Sequence, residues 1–172
     1  MKIKTRTFGL AHIAAMAAAP FLLAAAHPGA APASAPSDPA EQSAVPALNT
    51  AVGTIDAFHA ALKRGDTKSA LSFLSEDALI FESGAVESSR AEYESHHLKS
   101  DAEFSAVTSR TRVSERVTEA GDMASVMRVE IIKGTFRGRP INSRSIETML
   151  LRQTNAVWRI VHIHWSSANL KA

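Results

Sequence analysis

The sequence predicts an α+β domain in which helices come first and a mostly antiparallel sheet follows. Between Thr50 and about Ser100, apolar residues recur at helical spacing around one short apolar run. After Phe104 the texture changes to four β-rich stretches, near 105–118, 123–136, 141–153 and 157–167. Short breaks separate them: Ala120-Gly121-Asp122, Arg137-Gly138-Arg139-Pro140 and Thr154-Asn155. Breaks of that length join neighbours in a meander, and helices set apart from such a sheet define the α+β class.

Each element has a local reason. In the first helix Val52, Ile55, Phe58, His59 and Leu62 fall at helical spacing, with Asn49 or Thr50 as cap and Gly65-Asp66 as stop. Asp66 or Thr67 opens a short second helix carrying Ala70, Leu71 and Leu74. Leu79-Ile80-Phe81 reads as a brief strand ended by Ser83-Gly84. Ser89 and Glu92 have capping-box spacing, which predicts a third helix running to about Ser100. In the meander, turns near Gly138-Arg139 and at Thr154-Asn155 place Arg128, Glu130, Glu147, Met149, Ile160, His162 and His164 on one face. Val129, Ile131, Ile146, Thr148, Leu150, Val161, Ile163 and Trp165 then share the other, the more apolar one, which is expected to meet the helices. By the same parity Trp158 and Trp165 point to opposite faces.

A chain of 172 residues is sized for one domain, and 45% hydrophobic residues suffice for a core. With no cysteine, disulfides, thiolate metal sites and a Cys nucleophile are excluded. Residues 1–26 read as a signal peptide: Lys2, Lys4 and Arg6, an apolar run from Phe8 to Ala26, and small residues at its end. A membrane anchor competes, since ~20 apolar residues span a bilayer. The Ala-rich run, Pro20 and His12 favour cleavage instead, with a second possible cut after Ala33-Ser34-Ala35. Residues 27–48, rich in Ala, Pro and Ser, read as a flexible linker. The domain is then 49–172, periplasmic or secreted, with no membrane contact after cleavage. Without the three N-terminal cations, 16 basic residues face 17 acidic ones, so nothing in the charge points to nucleic acid.

The order helix, helix, strand, helix and four strands resembles the nuclear transport factor 2-like superfamily. Ala57-Phe58-His59-Ala60-Ala61-Leu62-Lys63-Arg64-Gly65-Asp66 is similar to the opening helix of its SnoaL-like members. Phe81-Glu82-Ser83-Gly84, Tyr93-Glu94-Ser95-His96-His97-Leu98 and the final strand from Trp158 to Ser166 are similar to further parts of them. The final strand, with Arg139-Pro140 and Ser145-Ile146-Glu147-Thr148, is also similar to the association domain of calcium/calmodulin-dependent kinases. The resemblance implies a cone-shaped α+β barrel, three N-terminal helices packed on a curved sheet, a pocket between them, and a homodimer through the sheet. It fixes no activity, because the fold hosts enzymes, binding modules and oligomerisation hubs. The steroid-isomerising branch uses a Tyr and an Asp deep in the cone. Here Tyr93 is the one tyrosine and no Asp follows Asp122, so that activity is not expected. Trp165 stands where the kinase association domain carries Arg, which argues against the same anion pocket.

Histidines carry most of the chemical signal. Tyr93, His96 and His97 follow i, i+3, i+4 spacing and share one side of the third helix. Glu82, Tyr93, His97 and Trp165 are the candidate ligand-binding set, polar groups among apolar walls, with His97 able to move a proton. His162 and His164 alternate on a strand about 6.6 Å apart, the pattern of a zinc or copper chelate if His96, Glu130 or Glu147 completed the shell. Members of the resembling family carry the same His-x-His without a metal, which ranks that reading lower. Arg128, Glu130 and Glu147 suit cross-strand ion pairs more readily than an acid–base set. No phosphate-cradling loop or nucleophile elbow is present and no cofactor is called for. The functional expectation is an exported small-molecule-binding protein, with general acid–base catalysis as its enzymatic form. A non-catalytic dimerisation or oligomerisation module and a His-based metal binder are the alternatives.

Overall fold

A computed structural model describes residues 49–171. The signal-peptide and linker expectations, at 1–26 and 27–48, lie outside the described residues. Four helices precede and flank the sheet: α1 Ala51–Lys63, α2 Thr67–Ser72, α3 Arg90–His96 and α4 Leu98–Val107. The strands are β1 Leu74–Glu82, β2 Ala85–Glu87, β3 Thr108–Ala120, β4 Met123–Phe136, β5 Arg139–Thr154 and β6 Val157–Asn169. They form one sheet in the order β2-β1-β6-β5-β4-β3, antiparallel except where β1 runs parallel to β6. The sheet curls around the helices without closing. This is the expected α+β cone.

The caps behave as their chemistry dictates. Thr50 Oγ1 accepts from the Gly53 amide at 2.9 Å, and Asp66 Oδ1 from the Ser69 amide at 3.0 Å, each satisfying an orphan N–H of a first turn. Ser89 accepts from the Glu92 amide, and the Glu92 carboxylate reaches back to the Ser88 amide. α1 turns Ile55, Phe58 and Leu62 into the core, all fully buried or nearly so. Phe58 stacks on Trp165 with ring centroids 6.4 Å apart. Burying a side chain of that size contributes about 1.5–3 kcal/mol.

Several expectations need correction. Leu74, expected on the second helix, opens β1, and the brief strand expected at Leu79-Ile80-Phe81 runs from Leu74 to Glu82. The three-helix expectation gives way to four, because the predicted third helix divides at His97, whose φ of −105° departs from helical values. α4 then continues to Val107, beyond the expected end at Ser100. The larger correction concerns faces. Arg128 pairs with Glu147 and Val126 with Met149 about a turn at Arg137-Gly138, one residue earlier than expected, which leaves the expected faces of β4 and β5 unchanged. On β6, however, Leu151 faces Ile160 while Leu150 faces His162, so Val161 is an extra residue in a β-bulge. Beyond it every side chain changes face. Trp158, Ile160, Ile163 and Trp165 all point inward, and His162 and His164 point outward beside Phe81. The helices therefore cover the face carrying Arg128, Glu130, Glu147 and Met149, all buried. The opposite face shows Met127 and Ile146 exposed, with Val129, Ile131 and Leu150 half-buried.

Candidate active site

Two hollows lie between the helices and the inner face of the sheet. The first, about 100 Å³, sits between α4 and β5–β6. Leu62, Phe104, Ile132 and Trp165 supply apolar wall, while Glu82, Asp101, Arg110, Ser105, Ser143 and Ser145 supply polar groups. Glu82 reaches it because β1 ends there against Trp165 of β6. Asp101 and Ser105 reach it because they lie one turn apart on α4.

The carboxyls in this cavity are perturbed. Burial pushes Glu82 above its ordinary value, and the neighbouring charge of Asp101 adds to the rise. Burial likewise raises Asp101, against the opposing effect of the Tyr93 hydroxyl, which donates to its Oδ2 at 2.8 Å. Tyr93 is itself wholly buried, and burial and the Asp101 charge push its phenol well up, so it stays a neutral donor. Two carboxyls raised by burial in one cavity are suited to exchange a proton with a ligand.

The second hollow, about 430 Å³, lies between α1 and β3–β4. It shares Ser105 and Arg110 with the first and contains an ion-pair network. Arg110 pairs with Glu130 at 2.7 Å. Arg128, 1% exposed, donates to Asp56 and to Glu115 at 2.7 Å each, and lies 4.0 Å from Glu147. Glu147 Oε2 accepts from Trp165 Nε1 and from His59 Nε2, both at 2.8 Å. Burial alone would raise this carboxyl. Electrostatic attraction to His59, the bonds from His59 and Trp165, and Arg110 outweigh it and hold Glu147 at about 2. Arg128, Glu130 and Glu147 thus serve as paired structural charges under the helices.

The expected ligand set divides. Glu82 and Trp165 line the first cavity. Tyr93 stands behind Asp101 without reaching the wall. His97 sits at the α3–α4 junction, half-exposed, donating from Nδ1 to the buried Glu87. That bond raises its pKa above the ordinary value, against a smaller desolvation effect. The metal set is not assembled. His162 spends Nδ1–H on the Leu79 carbonyl at 2.8 Å and His164 is exposed, both on the outer face. Glu147 lies on the inner face, and His96 is a surface group 3.9 Å from Glu87. Among the described residues no three His, Asp or Glu side chains are grouped to hold a metal ion. The cavity-lining residues that sequence reasoning missed include Asp101 and Arg110. Asp101 lies one residue past the expected helix end, and its position eight residues after Tyr93 was the available signal. Arg110 stands in an alternating Arg-Thr-Arg strand with nothing to single it out.

A fold of this shape, with its cavity under α4, defines a class of cone-shaped α+β proteins. The model of the SnoaL-like domain matches residues 52–169, and the chain belongs to that family. A Shewanella frigidimarina structure provisionally assigned as a ketosteroid isomerase is 32% identical, with TM-score 0.65, covering 67% of this chain and 94% of that one. The CaMKII hub of S. rosetta aligns at 21% identity and TM-score 0.59, over 78% of this chain and 100% of its own. A Streptomyces avermitilis protein of the NTF2-like family, provisionally assigned as a dehydratase, aligns at 21% identity and TM-score 0.55, over 69% and 93%. The two likenesses near 20% speak for the fold alone. The comparison with curated proteins returned no match.

Proposed function

We propose that this protein binds a small, partly apolar molecule in the cavity under α4 and acts on it by general acid–base chemistry through Glu82 and Asp101. The observation that carries the reading is that both carboxyls line one cavity and are both raised by burial. Tyr93 is a positioning residue that holds Asp101 from behind, and Trp165 with Phe104 supplies apolar surface for the ligand. The provisional isomerase assignment of the Shewanella frigidimarina structure supports proton-transfer chemistry. The test is a carbon-detected NMR titration of the carboxyls in the intact domain. Glu82 and Asp101 titrate above the ordinary carboxylate range, and Glu82→Gln lowers the Asp101 midpoint. Two ordinary midpoints would sink the reading. A thermal-shift screen of small apolar and acidic metabolites follows, with shifts lost in Asp101→Asn.

The basic, apolar and small-residue pattern of residues 1–26 supports work outside the cytoplasm. N-terminal mass analysis of the mature protein checks it, with a start near residue 27 or 36 expected.

A second reading, self-association through the outer face of the sheet, is favoured by the exposure of Ile146 and Met127 between half-buried Val129 and Leu150. Structural likeness to CaMKII hub and association domains supports it. Sedimentation equilibrium checks it: a dimer is expected for the wild type, and Ile146→Asp shifts it to monomer. A monomeric wild type at 100 μM, roughly the concentration where a weak contact saturates, rejects it.

A further inference from the structure

Three serines open toward the first cavity. Ser105 on α4 and Ser143 and Ser145 on β5 are 7%, 8% and 8% exposed. All three line the cavity. The buried side-chain atoms left without a partner among the described residues are His59 Nδ1, Ser75 Oγ and Glu147 Oε1. The three serine hydroxyls are not among these sealed atoms; they face the hollow, where water or a ligand can meet them.

Their placement is orderly. Ser143 and Ser145 alternate on the inner face of β5, opposite Ile132 and Glu130 of β4. Ser105 lies one turn beyond Asp101 on α4. Helix and strand thus present hydroxyl and carboxyl groups from two sides of the cavity, together with Glu82. Trp165, Phe104, Leu62 and Ile132 give the same cavity apolar wall. Charge gives little help to an ion: Arg110 is already committed to Glu130, and a free anion would meet two carboxyls. A ligand hydroxyl suits the site better. It donates to a carboxyl or serine oxygen and accepts from a serine O–H. The volume, below the ~150 Å³ that accommodates a benzene, limits the ligand to a short chain.

We infer that the cavity under α4 selects a compact polyol-like ligand, a short chain with two or three neighbouring hydroxyls on one edge and a hydrocarbon surface on the other. Ser105, Ser143 and Ser145 read the hydroxyls and Trp165 meets the hydrocarbon side. This rests on the assignment of that cavity as the binding site and names its substrate class.

The experiment is a binding series on the full domain with propan-1-ol, propane-1,2-diol and propane-1,2,3-triol, followed by chemical-shift perturbation. Each added hydroxyl is expected to tighten binding ~3–10-fold. Ser143→Ala/Ser145→Ala erases that gain for the triol and leaves propan-1-ol unchanged. Ser143→Thr keeps the hydroxyl and retains part of the gain. Equal affinities across the series, with perturbations still centred on Asp101 and Trp165, overturn the polyol inference and leave the cavity as the binding site. No perturbation at the cavity by any of the three overturns both. Should the double variant fail to melt cooperatively, Ser105→Ala on the opposite wall gives the same readout.

Discussion

Glu147 shows how one residue is set by its neighbours. Two N–H donors converge on a single carboxylate oxygen, and the result is a carboxyl at about 2 inside a core. Its folded value lies below the ordinary 4.5, so its contribution is present above pH 4.5 and is lost as pH falls toward 2. Trp165→Phe keeps the ring beside Phe58 but removes one donor. A loss of about 1–2 kcal/mol at pH 7 and an acid-unfolding midpoint moved to higher pH are expected from denaturation followed across pH. Glu82 has the opposite sign. Its folded value is raised, so its contribution is present below the ordinary 4.5 and lost as pH rises through the folded value. Glu82→Gln therefore melts higher than wild type at pH 8, and the difference closes by pH 4. A constant difference across that range would mean the carboxyl is not perturbed. At this scale the sequence was partly legible. Glu82 and Trp165 were readable as cavity residues, while Asp101 was hidden by a helix end misplaced by a few residues.

Elements are where reading succeeded most. Caps at Thr50, Asp66 and Ser89 have a local chemistry that a sequence displays directly. The tight turns were legible to within one residue: Arg137-Gly138 and Asn155-Ala156 take positive φ, where Gly138-Arg139 and Thr154-Asn155 were expected. Two-residue hairpins demand that conformation because it matches the twist of the strands. What could not be read is the divided helix at His97, which depends on the distant Glu87 and on the Tyr93–Asp101 bond. The bulge at Val161 was equally hidden, since Trp-Arg-Ile-Val-His-Ile-His-Trp alternates acceptably with or without it. Close approach sets another element-level constraint. A Cβ on Gly134 would lie 2.4 Å from the Val107 carbonyl, where α4 gives way to β3. Gly134→Ala is expected to cost about 3 kcal/mol in thermal melting, the upper part of the range for overpacking. A neutral substitution there would mean the α4–β3 junction yields readily.

The whole molecule is assembled from contacts of very different range. β3, β4, β5 and β6 join their neighbours through tight turns, whereas β1 reaches β6 across 83 residues, as in the Leu79–His162 bond. Closing the long loop costs entropy before the pairing returns anything, so the meander is expected to form first. Ile80→Val, in β1, should destabilise by about 1 kcal/mol, seen almost entirely as faster unfolding in stopped-flow chevrons. A matching fall in the folding rate would place β1 in the folding nucleus. The cone was legible from element order because that order survives errors in single boundaries. The choice of covered face was not, because Arg128, Glu130 and Glu147 look like solvent-facing charges until their partners on α1, β3 and β6 are known.

The extra residue in β6 has a wider consequence. Because side chains alternate, one inserted position works like a crossed wire in a ribbon cable: every conductor beyond it arrives at the other terminal. Were Val161 to pair with Leu150 in regular register, without the bulge, the His162 and His164 imidazoles would come under the helices, and Ile163 and the Trp165 indole would turn out to the open face. Glu147 would lose a donor, and the cavity would lose an aromatic wall. One position in the final strand thus decides whether the inside of this cone is lined by indole or by imidazole.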